Sequence, residues 1–139
     1  MFIPATVRPF TPNPVATISG APATARFLWR VKSTLASIQM RILRGEAYLV
    51  AGGGGAAAAE FQKILDHSGI VWNCWTGALA HLGVARANAL QSRTSQGADA
   101  DAARVRALAA YKDFLALWKE ADPDIPILKE AKVEYAKLQ

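Results

Sequence analysis

The chain has 139 residues, 52% of them apolar, with 16 basic and 11 acidic side chains, a formal charge of +5 and one cysteine. That length suits a single domain, and the apolar share is too high for a disordered chain. No run of 18 apolar residues exists to span a membrane, and the lone Cys74 makes no internal disulfide. A reducing, cytoplasmic setting is the expectation. Many alanines and few β-branched runs favour an all-α fold.

The charge is unevenly placed. Residues 1–45 carry Arg8, Arg26, Arg30, Lys32, Arg41 and Arg44 and no acid, whereas residues 46–139 carry ten basic and eleven acidic residues. All of the net charge therefore sits upstream. Such a segment attracts phosphates or an anionic surface. Without an accompanying nucleic-acid fold motif, it reads more simply as a solvated leader.

In chain order, residues 1–25 hold Pro4, Pro9, Pro12, Pro14 and Pro22 and read as a disordered, proline-rich basic leader. They lack the apolar centre and cleavage site of a secretory signal. Their Arg, Ser/Thr and Ala content resembles an organellar transit peptide. The reading preferred here is the truncated start of a longer protein. From Ala23 to Val50, Phe27, Leu28, Val31, Leu35, Ile38 and Ile42 recur at helical spacing, beside Trp29 and Met40. Leu43, Ala47, Leu49 and Val50 continue that pattern.

Gly52 to Gly55 break the helix, and Ala56 to Ala59 restart one. The second helix is expected to bury Phe61, Ile64 and Leu65 and to leave Glu60, Gln62, Lys63 and Asp66 in water. A connection follows from Asp66 to Thr76. Ser68-Gly69 reads as a helix end, and Asn73 or Thr76 as the next cap. Ile70, Val71, Trp72 and Trp75 are expected to lie partly buried across the hairpin.

A third helix is predicted over Gly77–Gln91, and a polar turn over Ser92–Ala98. A fourth follows over Asp99–Glu120, with Asp99 or Asp101 as its cap. Its apolar stripe is Val105, Leu108, Tyr111, Phe114, Leu115, Leu117 and Trp118. Asp122-Pro123-Asp124-Ile125-Pro126 stops that helix. Asp124 is expected to cap a last one over Pro126–Leu138, which buries Ile127, Leu128, Ala131, Tyr135 and Leu138. Lys129, Glu130, Lys132, Glu134 and Lys137 are expected to face water.

Gly45, Tyr48, Gly52, Ala57 and Phe61 stand at the mutual spacing of one tetratricopeptide repeat (TPR), although Arg44 replaces the usual leucine. Leu82-Gly83 and Ala107-Tyr111 repeat the pattern, so residues 41–139 resemble that family. The resemblance implies antiparallel helix hairpins stacked as a short right-handed α-solenoid. Repeat 1 would span about 34–67, repeat 2 about 75–120, and a capping helix 126–138, within a domain of 26–139. In repeat 2, Arg86 stands in place of the family tyrosine. Twelve more residues separate Gly83 from Ala107 than separate Gly45 from Ala57. They are expected to form a longer turn with an extra helix.

Motifs that carry chemistry are mostly missing from the sequence. Gly52–Gly55 is not followed by the Gly-Lys-Ser/Thr of a phosphate loop. His67, His81 and Cys74 lack zinc spacing, and isolated residues of these kinds are ordinarily structural. No kinase motif is present. The chain is therefore expected to be no enzyme and to need no catalytic residue, cofactor or metal. In the family, first helices line a concave groove for a peptide or partner helix. That implies Gln39, Ile42, Glu46, Leu49, Val50, Gly77, Ala80, Val84, Ala87 and Asn88 here. Gly45, Tyr48, Ala57, Phe61, Leu82, Gly83, Ala107 and Tyr111 would pack the repeats. Ile42 and Glu46 occupy the places of a carboxylate clamp, so a chaperone tail is not expected.

Three functions follow as expectations. The first is a TPR scaffold binding a protein or peptide, with self-association through incomplete solenoid ends as a further possibility. The second is the sensor or docking arm of a bacterial Ser/Thr kinase or winged-helix regulator, which the resemblance also implies. The third is a nucleic-acid or anionic-surface binder using residues 1–45.

Overall fold

A computed structural model describes residues 23–67 and 75–139, with side chains from residue 36 onwards. Among the described residues five helices form: α1 Ala23–Val50, α2 Gly54–Leu65, α3 Trp75–Thr94, α4 Ala98–Leu117 and α5 Pro126–Leu138. Among the described residues there is no strand, so the fold is all-α. No described helix is long and apolar enough to cross a membrane. The chain divides after Ser33, and the architecture below belongs to the unit Thr34–Gln139. Expectations for the leader, for the side chains of residues 23–35, and for Ser68-Gly69, Ile70 to Trp72, Asn73 and Cys74 lie outside the described residues.

The breaks follow from backbone chemistry. Gly52 has φ 81°, a left-handed conformation that costs other residues about 1 kcal/mol or more. The Gly53 N–H then donates to the Tyr48 carbonyl at 2.8 Å, closing the turn. Helix α2 begins at Gly54, two residues earlier than the alanine run indicates. The reason is proximity. A side chain on Gly54 would stand 2.7 Å from the Ala87 carbonyl oxygen, so only glycine lets α2 start against α3.

Side-chain pairs give the helix directions. Phe61 meets Gly83 while Gly54 meets Ala87 and Gln91, so α2 and α3 run antiparallel. Arg106 reaches Asn88 while Asp113 faces His81, so α3 and α4 do too. Arg104 reaches Leu138 while Tyr111 reaches Glu134, and α4 and α5 follow suit.

Helix α3 is central. Ala80 and Ala87 join Ile38, Ile42, Ala57, Phe61 and Ile64 in one core. Its Ala78, Leu82, Ala85 and Ala89 join Tyr111, Phe114, Leu128 and Leu138 in the other. A helix covered on both sides needs apolar or small residues around its whole circumference, and the ALAHLGVARANAL run of α3 supplies them.

Several expectations change. The twelve extra residues of the second pair do not make an extra helix. Helices α3 and α4 are each 20 residues long and absorb them, leaving a turn around Gly97. Asp99 and Asp101 lie in the first turn of α4, with Gly97 at the cap position. Ile125, not Asp124, precedes α5, and the Asp124 carboxylate accepts from Lys129 instead. Thr76 is inside α3. Trp75 is 63% exposed rather than part-buried, and Val105 and Leu117 are also exposed.

Candidate docking groove

Phe61 fixes how the helix pairs meet. A Cβ on Gly45 would stand 2.6 Å from its ring, and one on Gly83 2.5 Å from the other end of the same ring. The ring is thus clamped between α1 and α3 by two residues that have no side chain to oppose it. Ala57, Leu82, Ala107 and Tyr111 are buried with it or in the neighbouring core. Tyr48, also placed among the packing residues by the family pattern, is 41% exposed.

Two polar clusters hold the periphery. Glu60 is buried and receives Arg44 at 2.7 Å, Lys63 at 2.9 Å and Arg41 at 3.3 Å. Sequence pattern placed it in water, because the helical period alone does not show two arginines arriving from α1. The Lys63 hydrogen bond first, with Arg44 adding to it against desolvation, holds the Glu60 carboxyl below its ordinary range. Arg41 and Arg44, two of the upstream basic residues, are thereby engaged within the fold.

The second cluster docks α5. Arg86 donates from Nε and Nη2 to the Glu134 carboxylate at 2.9 Å each, and Tyr111 donates its hydroxyl to the same group at 2.9 Å. Arg86 also reaches Glu130 at 3.3 Å. Glu130 and Glu134 therefore face α3, not only water. Burial first, then the Glu134 carboxylate, pushes the Tyr111 phenol well above its ordinary range. Arg104 donates to the carbonyls of Leu138 and Gln139 at 2.7 and 2.8 Å, capping the C-terminal end of α5.

Between α2 and α4, above α3, lies an open groove of about 1290 Å³. Its walls are small: Gly55, Ala58 and Ala59 from α2, and Ala109 and Ala110 from α4. The antiparallel pairing gathers Leu65, Trp75, Leu117 and Trp118 at one end. Asn88, Gln91 and Arg106 stand at the other, where Arg106 donates to Asn88 at 2.9 Å and Gln91 at 3.5 Å. His81 and Asp113 lie between, 3.9 Å apart.

Of the groove residues the family pattern implied, Gly77, Val84 and Asn88 line this space. Asn88 is buried and donates to the Val84 carbonyl. Ile42, Ala80 and Ala87 are packed inside the core, because α3 is covered by α2 on that side. Gln39, Glu46 and Val50 are exposed on α1 and Leu49 is half-buried, and none of the four lines this space. The α2 and α4 alanines that line it are not among the residues the family pattern implied. Their only trace in sequence is a run of small residues on helices that also have a core face. Among the described residues, no group of three or more His, Cys, Asp or Glu is placed to hold a metal. No family model, curated protein or solved structure matches the chain.

Proposed function

We propose that this chain is a non-catalytic, cytoplasmic TPR-like docking module. In this reading its helix pairs stack as a short right-handed solenoid, α5 caps the end, and a partner peptide or helix lies between α2 and α4. The groove carries the reading: small walls admit a backbone closely, and one aromatic end accepts an apolar side chain. Support for the repeat resemblance comes from the Phe61 ring seated between Gly45 and Gly83. The partner that fits carries an apolar anchor for Trp118 and a hydrogen-bond acceptor for Arg106.

A random peptide library selected against the full chain tests this. Enriched peptides should shift tryptophan fluorescence on titration. They should lose about tenfold in affinity, about 1.4 kcal/mol, when Ala109→Glu places a charge on the α4 wall. Failure to enrich any peptide, or affinities indifferent to Ala109→Glu and Ala58→Arg, would remove the proposal.

A further inference from the structure

Three cations from two helices converge on one carboxylate. Arg41 and Arg44 stand a turn apart on α1, and Glu60 and Lys63 a turn apart on α2. Arg44 and Lys63 share a single Glu60 oxygen, Oε1, at 2.7 and 2.9 Å, and Arg41 reaches Oε2 at 3.3 Å. The acid is buried and the bases are not. The Glu60 side chain is 6% exposed, against 32%, 54% and 47% for Arg41, Arg44 and Lys63.

Positive charge exceeds negative here. Three cations meet one anion, and no second carboxylate among the described residues pairs with any of them. Residues 1–45 carry no acid, so α1 brings none up to this point. Asp66, the next acid along α2, accepts from Gln62 at 3.1 Å instead. Like charges gathered round one oxygen repel one another, and each unit of excess raises the affinity for a further anion. The donors are available too. Among the described residues Glu60 is the sole hydrogen-bond partner of the three basic side chains, and each has further N–H groups.

We propose that Arg41, Arg44 and Lys63 form a binding site for a phosphoryl dianion, free phosphate or a phosphate monoester. Glu60 lies beneath them as the counter-charge that holds the cations together. A doubly charged tetrahedral anion equals the excess in charge, and its several oxygens accept from donors set in different directions. A carboxylate or a nucleic-acid diester brings one negative charge per group and leaves half of the excess unmatched. Glu60 and Lys63 do not line the α2–α4 groove, and neither site requires the other.

Titration of the full chain with inorganic phosphate at fixed ionic strength, followed by amide chemical shifts, tests it. Saturable shifts are expected around Arg41, Arg44 and Lys63, with a dissociation constant on the order of 1 mM, and none with chloride. If O-phosphoserine produces the same shifts, the ligand is a monoester; if phosphate alone does, it is the free ion. Arg44→Gln with Lys63→Gln removes the excess and should weaken phosphate about tenfold. Should that pair lose its helical circular dichroism, Arg41→Gln replaces it with a loss of about threefold. Glu60→Gln removes the counter-charge and should tighten phosphate about fivefold, although it destabilises the fold. A network that only fastens α1 to α2 would not give those opposite signs. Shifts that do not saturate, a phosphate affinity indifferent to the basic variants, or weaker binding in Glu60→Gln would overturn the proposal. So would a single-stranded oligonucleotide that binds through Arg44 and Lys63 where phosphate and phosphoserine do not.

Discussion

Phe61 shows how a single side chain sets the approach of three helices. Its ring leaves no room for a methyl group on Gly45 or Gly83. Gly83→Ala gains up to about 1 kcal/mol of helix propensity but overpacks a ring held on both sides, at a cost of about 1–3 kcal/mol. The expected net is a loss of about 1–2 kcal/mol in urea unfolding. In a Phe61→Leu background the clash is relieved, and Gly83→Ala should be neutral or stabilising. Additivity of the two changes would show that they do not touch. Glu60 makes a second residue-scale prediction. Its carboxyl is depressed, so its contribution is present above the ordinary carboxylate pKa of 4.5 and is lost as pH falls through the folded value. Thermal stability should therefore decline more steeply on acidification in the parent than in Glu60→Gln. At neutral pH that variant should lose about 1 kcal/mol, modest because Arg44 and Lys63 remain half in water.

Among the elements, α5 is the one whose attachment is most polar. Leu128, Ala131 and Leu138 bury one stripe, and Arg86 with Tyr111 grips Glu134 beside it. Arg86→Ala leaves the Glu134 carboxylate with the Tyr111 hydroxyl alone and should cost about 1.5–3 kcal/mol. Hydrogen exchange should report the loss first in residues 126–138, with the amides of α2 and α3 unchanged. Arg86→Lys should recover only part, because one ammonium does not reproduce the two parallel hydrogen bonds. Equal acceleration of exchange in every helix would mean that α5 is not a separately docked element. Helix lengths also belong to this scale. The extra residues of the second pair lengthen α3 and α4 in step, as an antiparallel pair requires, and the lengthened α3 extends along both cores.

Across the unit Thr34–Gln139, α3 carries the fold, and the space between α2 and α4 lies open beside it. The groove between α2 and α4 exists because both pack on α3 with small residues facing each other. Peptide capture tests that space as a docking surface.

The sequence by itself determined that helices form and, to within a few residues, where they break. Apolar period, the Gly52 turn and Pro126 at the start of α5 act locally, and all are written within a few residues of where they operate. The Gly45–Phe61 approach joins two helices across 16 residues, and only the family resemblance, not local pattern, pointed to it. Tertiary structure alone decided which apolar residues of α1 would be covered, that Glu60 and Glu134 would be met by arginines from other helices, and that α2 would start against Ala87 at Gly54. Each of those outcomes depends on what lies across from a residue, and a helix with apolar or charged groups on more than one face does not encode which of them will find a neighbour.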